Sequence, residues 1–508
     1  MSAIQFLTEG FQTALQPHNL LFAFVGVLIG TAVGVLPGIG PMSGVALLIP
    51  VTASMTGGMD PAAAATSSII LLAGVYYGAM YGGSTTSILL NTPGESSSVV
   101  TTLDGYQMAK QGRAGSALAI AAIGSFFAGI VSLVALALLA EPLSEVALKF
   151  GPAEYFSLML LGLAAVSGLA GNSMTKAWMM TVFGLMLSTI GMDVVSGVSR
   201  FTYDIASLYG GLEFLTVAVG VFALGEVFKT ILHKENNEGD LAKVGRIFPT
   251  KQDFKESSGP IVRGSLLGFF VGVLPGAGAT LASFFSYIME KKLSKNPEKF
   301  GKGAIAGVAA PESANNGASG GAMIPLLTLG IPGSGTTAIL MGALIMYNIQ
   351  PGPLLFEDHP DVAWGLIASM FIGNLMLLIL NMPLVKVFAK IIETPAKYLL
   401  PLIVAISIFG VYAVQVNTFD LFLLIGCGIA GYFLASNDFP LAPLVLGLVL
   451  GPMIENNMRR ALTSSNGDFL VFIQKPVSLI FIVIAVLWIL VPVLLKLRGK
   501  QVIINEEA

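Results

Sequence analysis

The sequence predicts an all-α polytopic membrane protein with two inverted-topology repeats that contain broken helices or re-entrant hairpins. About 10–12 membrane segments are expected, each of about 20 residues. Three observations support this prediction. Of 508 residues, 55% are hydrophobic and only 11% are charged, whereas soluble domains carry roughly 25% charged residues. The mean hydropathy is +0.82. A Pro-Gly motif of the form Leu-Pro-Gly-x-Gly lies inside an apolar stretch once in each half of the chain.

The Pro-Gly motif spans residues 36–41 and recurs at 274–279, an offset of 238 residues. Proline removes a backbone donor and glycine favours non-helical dihedrals, so each copy predicts a broken helix. A second break, residues 91–95, recurs at 330–334, an offset of 239. Freed backbone groups are tolerated at membrane depth only where protein or a water-filled cavity covers them. Paired breaks in two halves therefore point to a binding site for a transported solute.

Four segments follow from this pattern: an N-terminal interfacial helix (1–19), a first transmembrane repeat (20–233), a cytoplasmic linker (234–260) and a second transmembrane repeat (261–500). Besides the arms of the breaks, apolar spans are expected at 115–140, 153–173, 176–192, 212–230, 362–385, 398–415, 419–435 and 476–495, with a shorter run at 440–454.

Positive charge indicates which side of the membrane each loop faces. Twelve of the 26 Lys/Arg residues lie between Lys229 and Lys302, and none lies in 1–109 or 303–385. Both ends of 264–289 are thus expected on the cytoplasmic side, as a re-entrant hairpin; the alternative is one kinked spanning helix. Inverted repeats would open the first hairpin to the outside.

Hydroxyl, amide and glycine groups dominate the breaks, and they suit carboxylates and Na⁺ because they offer hydrogen bonds and carbonyl oxygens. The predicted substrate-binding residues are Pro37, Gly38, Gly40, Ser84, Thr85, Thr86, Asn91, Thr92, Pro275, Gly276, Gly278, Ser334, Thr336 and Thr337. The predicted cation-coupling residues are Glu312, Asn315, Asn316 and Thr328. Glu312 stands out because an intramembrane carboxylate is a functional-site hypothesis by default. Arg200, Arg459 or Arg460 could approach to neutralise an anion.

Several classes of protein are disfavoured. Cys427 is the only cysteine, which excludes an intrachain disulfide, and it is expected to be a packing residue. The histidines, His18, His233 and His359, fall in expected loops. No metal-ligand cluster, phosphate loop or nucleophile–base pair is evident, so we expect no enzyme activity and no cofactor other than a coupling ion, Na⁺ or H⁺.

The chain resembles the large permease subunit of the tripartite tricarboxylate transporters, the TctA family, from about residue 15 to 495. The resemblance is carried by the motifs at 34–41, 81–84, 91–95, 272–278, 311–316 and 329–333. It implies a secondary transporter of the bacterial inner membrane that takes up carboxylates such as citrate, driven by an ion gradient. It also implies two partners, a periplasmic solute-binding protein and a small transmembrane subunit of the TctB type; a homo-oligomer is left open.

Two other functions stay open at this point. One is a stand-alone cation-coupled carboxylate permease without a binding protein, and the other is a channel. The side of the membrane on which the N-terminus lies is open as well. The resemblance implies a cytoplasmic N-terminus, whereas the charge pattern places residue 19 outside.

Overall fold

The computed structural model describes residues 3–36, 40–91, 93–164, 173–193, 196–232, 248–274, 278–384, 396–415 and 417–497. Within these ranges the chain is mainly helical, as the composition predicts. Apolar helices alternate with short turns, and the helices of the two halves follow one another in the same order.

The helices of the first half begin with a short N-terminal helix and end before the linker. They are α1 (Ala3–Ala14), α2 (Pro17–Val35), α3 (Gly40–Met55), α4 (Pro61–Leu90), α5 (Val99–Lys110), α6 (Ala114–Ala147), α7 (Pro152–Ala164), α8 (Met174–Ser188) and α9 (Phe214–Leu232). Proline is the first residue of α2, α4 and α7, where the missing N–H would have no helical partner anyway. The middle of α9 is a π-helix, Val219–Leu224.

The second half repeats this order and adds one C-terminal helix. Its helices are α10 (Lys251–Val273), α11 (Gly278–Leu293), α12 (Ala306–Gly321), α13 (Gly335–Met346), α14 (Pro360–Asn381), α15 (Ala396–Gln415), α16 (Thr418–Ser436), α17 (Ala442–Ser464) and α18 (Pro476–Leu497). A π-helix, Pro325–Leu329, follows α12, and helical turns occupy Leu355–Asp358 and Val471–Gln474. In the described part of the chain, α2–α9 therefore match α10–α17 in order.

Six described helices, α2, α4, α6, α9, α14 and α16, are long and apolar enough to cross a membrane. Shorter apolar helices include α3, α7 and α13. The span predicted at 176–192 is too long, because α8 ends at Ser188 and Gly191–Met192 pairs with Ser199–Arg200 in a small antiparallel sheet. The helix predicted at the N-terminus forms as α1, and it packs along α14, where Phe6 stacks on Trp364 at 5.6 Å between ring centroids.

Glycines let the helix backbones of each half touch. A Cβ added at Gly30 on α2 would lie 2.5 Å from the carbonyl oxygen of Val75 on α4. In the second half, a Cβ at Gly268 on α10 would lie 2.1 Å from the carbonyl oxygen of Ala314 on α12. The glycines one turn before and one turn after each of these two lie similarly close to a backbone carbonyl oxygen of the neighbouring helix. Small residues are typical of such close helix pairs in membranes. The glycines are Gly26, Gly30 and Gly34 in the first half, and Gly264, Gly268 and Gly272, each 238 residues later, in the second.

The two halves also exchange helix partners. Gly184 on α8 packs against the backbone of Leu444 on α17, and Gly431 on α16 packs against the backbone of Val221 on α9. Because α8 matches α16 and α9 matches α17, each half contributes the same kind of helix to the other. Cys427 lies at the second of these contacts, against Gly220, in the packing role that the sequence predicts.

The matched helices α4 and α12 run antiparallel where they meet. Tyr77 of α4 lies beside Gly320 of α12, and Ser84, two turns later, bonds to Glu312, two turns earlier. Residue numbers therefore rise along one helix as they fall along the other.

The arms on either side of the second Pro-Gly motif lie side by side. Arg263 on α10 donates to both carboxylate oxygens of Glu290 on α11, at 2.6 and 2.8 Å. These residues stand at similar distances before and after the motif, so the chain doubles back between them.

Asp104 on α5 ties the first half to the loop that precedes α12. Its Oδ1 accepts the backbone N–H groups of Gly301, Gly303 and Ala304 at 2.9, 2.8 and 2.7 Å. Its Oδ2 accepts the hydroxyl of Tyr287 at 2.9 Å. The side chain is fully buried, so these four donors take the place of water.

We expect Asp104→Asn to lower the free energy of unfolding by about 3 kcal/mol, because three buried backbone N–H groups lose a charged acceptor and keep only a neutral amide oxygen. Denaturant unfolding of the purified full chain in detergent measures this loss. Asp60→Asn is the matched control: Asp60 caps α4 through one exposed bond to Ala62 N–H, and asparagine caps as well as aspartate. Equal losses in the two variants would contradict the assignment.

Candidate functional site

Both halves break a helix in the same way at the Pro-Gly motif. After α2, Leu36 is extended with φ −87° and ψ 114°. After α10, Leu274 has φ −78° and ψ 116°. The next helix begins at a glycine with positive φ, Gly40 at 60° and Gly278 at 66°. A Cβ at either glycine would meet open space, so the backbone conformation, not packing, requires glycine there.

Five predicted substrate residues lie outside the described residues. They are Pro37, Gly38, Thr92, Pro275 and Gly276.

The second break also has the same form in both halves. Asn91 ends α4 in the left-handed region with φ 60°, and Gly330 takes the matching position after the π-helix with φ 69°. Asn91 is exposed. Glycine and asparagine are the residues that most readily end a helix in this conformation.

The helix after each second break starts with a capping box. In the second half, Ser334 N–H donates to Thr337 Oγ1 at 2.8 Å and Thr337 N–H donates to Ser334 Oγ at 3.3 Å. In the first half, Glu95 occupies the place of Ser334, and its side chain accepts the backbone N–H of Ser98. One helix N-terminus thus carries a carboxylate of the protein itself, and the other carries only hydroxyl groups.

Glu312 on α12 is fully buried and joins the two halves. Ser84 on α4 donates to its Oε2, and Thr101 on α5 donates to its Oε1. Asn315, on the same helix as Glu312, donates to Oε2 at 3.3 Å. Among the described residues, no basic side chain forms an ion pair with Glu312. A buried carboxylate without a countercharge is costly, so this group calls for a proton or a bound cation.

An amide and a hydroxyl extend the cluster around Glu312. The Nδ2 of Asn316 donates to Ser125 Oγ at 2.7 Å and to Asn315 Oδ1 at 2.5 Å. Its Oδ1 is buried and accepts no hydrogen bond. A buried oxygen without a donor is uncommon and suits a cation ligand.

A cavity of about 10 Å³ adjoins this cluster. Its polar lining comes from Tyr81, Ser84, Thr85, Ser125 and Asn381. The volume corresponds to about one water-sized sphere, and the oxygen atoms around it could serve one water or one small cation.

The other predicted residues are spread more widely. Thr86 donates to the carbonyl of Gly83 and Thr328 donates to that of Ile324, each within its own helix. Thr336 is buried in the first turn of α13. The structure thus brings Ser84, Glu312, Asn315 and Asn316 together and leaves Thr328 bonded to its own helix.

Sequence reasoning missed five residues at this site, one of which is Asn381 in the wall of the small cavity. Thr101 lies in a serine- and threonine-rich run, Ser125 is a single hydroxyl in an apolar span, and Asn374 is a lone amide in α14. Tyr81 donates its hydroxyl to Asn374 Oδ1 at 2.7 Å. Apart from the run that contains Thr101, the only signal in the sequence was the presence of isolated polar residues in apolar helices.

A larger cavity of about 650 Å³ lies away from the Glu312 cluster, at the C-terminal end of α13. Residues of α8, α9 and α17 and of the small β-sheet complete its wall. Arg200 and Arg459, expected as candidates to neutralise an anion at the breaks, line this cavity instead, and Arg460 is exposed on α17.

Both arginines of the larger cavity are paired with carboxylates. Arg200 donates to Glu455 at 2.8 and 3.3 Å, and Arg459 donates to Asp193 at 3.0 and 2.8 Å. Arg459 also lies 2.7 Å from Glu455. The hydrogen bonds that Arg459 donates to Asp193 raise the pKa of its guanidinium above the ordinary value, so this group keeps its charge.

Apolar helices with matched breaks and an ionisable group buried between the halves define a multi-pass membrane protein of the transporter class. The chain belongs to the tripartite tricarboxylate transporter TctA family, whose model matches residues 20–446. The family is one of transporters, in agreement with the resemblance noted from the motifs.

Two relatives come from Agrobacterium vitis. An uncharacterised 52.8 kDa protein in the TAR-I ttuC' 3' region is 47% identical over 501 residues, which is 99% of this chain and 98% of the relative. An uncharacterised protein in the TAR-II ttuC' 3' region is 46% identical over 242 residues, which is 47% of this chain and 100% of the relative. No solved structure matches the chain.

Proposed function

We propose that the chain is the large membrane subunit of a secondary transporter that takes up organic carboxylates of the citrate or tricarboxylate class across a bacterial inner membrane. A gradient of Na⁺ or H⁺ drives the transport. A periplasmic solute-binding protein delivers the substrate, and a small transmembrane subunit of the TctB type completes the complex. Membership of the TctA family supports the class of transporter and the type of substrate.

The single observation that carries the proposal is the position of Glu312. Its carboxylate is buried without a basic partner among the described residues and accepts hydrogen bonds from both halves of the chain. A proton or cation bound there would change the contact between the halves, which is what coupling an ion gradient to a conformational change requires. Asn315 and the unpaired Oδ1 of Asn316 add neutral oxygen ligands within the same cluster.

Inverted repeats are part of this proposal. The antiparallel course of the matched helices α4 and α12, and the exchange of α8 and α16 between the halves, support a two-fold axis in the membrane plane. The paired arms of α10 and α11, joined by Arg263 and Glu290, support a re-entrant hairpin at the second Pro-Gly motif. The proposed domain limits, 20–233 and 261–500, follow from the same duplication.

The substrate carboxylate is proposed to bind near the start of α13. Ser334, Thr336 and Thr337 offer hydroxyl and N–H groups there, and the positive end of the helix dipole favours an anion. The matching helix start in the first half already holds the carboxylate of Glu95. Of these two matching helix starts, only that of α13 therefore carries no negative charge.

Reconstitution in liposomes tests the proposal. The full chain is inserted together with the small subunit, the binding protein is added, and uptake of radiolabelled citrate, succinate and acetate is measured while Na⁺ and pH are varied separately. We expect accumulation against a concentration gradient that depends on one of the two ions and on the binding protein. Passive equilibration without ion dependence would indicate a channel, and uptake that does not need the binding protein would indicate a stand-alone permease.

A further inference from the structure

The larger cavity has the dimensions of a ligand site. Its volume of about 650 Å³ lies within the range of about 300–1,000 Å³ that is usual for small-molecule sites. It lies at the C-terminal end of α13, whose 12 residues span roughly 18 Å from the second break. At the matching end of α5, Gln111 Nε2 instead donates to the backbone carbonyl oxygen of Lys302 in the loop before α12, at 2.8 Å.

One hydrogen-bond donor in the cavity wall has no acceptor. The Nε of Arg200 is buried and unpaired, although Nη1 and Nη2 of the same side chain both reach Glu455. Buried donors without a partner are rare and call for an explanation. The missing group must be an acceptor, and a carboxylate that lies edge-on to the guanidinium would satisfy Nε and a neighbouring nitrogen together.

We propose that this cavity binds a carboxylate group of the transported organic acid, which replaces the side chain of Glu455 on Arg200 and Arg459. The inference rests on the proposed function, since it takes its ligand class from there. The transported acid then binds first in this cavity, at the C-terminal end of α13. It reaches the break at the N-terminal end of α13 afterwards.

Glu455, not Asp193, is the carboxylate that can leave. The Asp193 side chain is only 4% exposed, and its oxygens bind Arg459 and the backbone N–H of Ser196. The Glu455 side chain is 26% exposed, and within the described part of the chain its polar partners are the two arginines. Rotation of Glu455 out of the cavity frees Nη2 of Arg200 and Nη2 of Arg459 for the incoming carboxylate, which gains the unpaired Nε of Arg200 as well. Nη1 of Arg200 still has Asp193 at 3.5 Å.

The charges favour this exchange. With Glu455 in place, two guanidinium groups face two carboxylates, Asp193 and Glu455. With Glu455 rotated away, Asp193 is the only carboxylate among the described residues that still pairs with the two guanidinium groups. Glu213 also lines the cavity but forms no ion pair with either arginine in the described part of the chain, so one positive charge is left for the ligand. Ser188 and Asn456, also in the wall, offer neutral groups to the rest of a polyvalent acid.

Two substitutions of opposite expected sign test the inference. Binding of citrate and of succinate to the full chain in lipid nanodiscs is measured by calorimetry at constant ionic strength. Glu455→Gln should tighten binding, by roughly tenfold, because the competing charge is gone, and Arg459→Gln or Arg200→Gln should weaken it by a similar factor, because a charge-assisted bond is lost. Arg263→Gln, which removes an arginine paired with Glu290 elsewhere, is the matched control and should leave the Kd unchanged.

The outcome separates this inference from the proposed function. A merely structural ion-pair network would make Glu455→Gln and Arg459→Gln weaken binding alike, which would overturn the inference. Failure of wild-type protein to bind citrate or succinate, while it transports them in liposomes, would overturn it as well. Absence of uptake for every carboxylate in wild-type liposomes would instead count against the proposed function.

Discussion

Replacing Glu312 by glutamine is expected to lower ion-driven accumulation sharply while the protein still folds. The amide keeps the size of the side chain but can neither carry the negative charge nor exchange a proton. Its NH₂ group would face the hydroxyl of Ser84 or Thr101, and a hydroxyl can rotate to accept as well as to donate. Coupling free energies are typically about 1–3 kcal/mol, so we expect uptake under a gradient to fall by about 5- to 150-fold.

Liposome uptake, with and without a gradient, measures this loss. If the coupling ion is H⁺, counterflow exchange should persist in Glu312→Gln, because the amide resembles the protonated acid; if it is Na⁺, the apparent Na⁺ affinity should fall. Glu256→Gln makes the same chemical change at an exposed position of α10 and should be silent. Accumulation by Glu312→Gln with unchanged ion dependence would refute the role of this residue.

Replacing Gly268 by leucine is expected to prevent folding. A Cβ at this position would lie 2.1 Å from the carbonyl oxygen of Ala314, and the obstacle is backbone, which cannot rotate away. Overpacking usually costs about 1–3 kcal/mol where side chains can adjust, so we expect a larger loss here. Gly30→Leu should also prevent folding, because Gly30 packs against the backbone of Val75 in the same way in the first half.

Size-exclusion profiles and protease resistance of detergent-solubilised protein measure this effect. Gly426→Leu is the control, since Gly426 lies within α16 with open space where its side chain would point. A folded, protease-resistant Gly268→Leu protein would show that α10 and α12 do not pack as described.

The breaks could be predicted from the sequence because their causes are local. Positive φ at Gly40 and Gly278 and the helix ends at Leu36 and Leu274 follow from residue chemistry within a few positions. Glu312 could be singled out for the same reason, as a carboxylate in an apolar segment. The family resemblance, carried by the motifs around these breaks, is confirmed by the family match.

The partners of these residues could not be predicted, because they come from distant parts of the chain. Thr101 meets Glu312 across 211 residues, and Arg200 meets Glu455 across 255. Nothing in the spacing of charges indicated that Arg200 and Arg459 would be paired with acids in a cavity of their own. Likewise, the sheet that shortens α8 depends on pairing between Gly191–Met192 and Ser199–Arg200, which apolar periodicity does not reveal.

Backbone-to-backbone contact between α2 and α4, and between α10 and α12, has a mechanical consequence. Helices in such contact have no flexible side chains between them to absorb sliding, so each pair should move as one rigid body. Any rearrangement that alternately opens the two faces of the membrane would then be concentrated at the glycine hinges, Gly40 and Gly278, and at the hydroxyl-lined contact of Ser84 and Thr101 with Glu312.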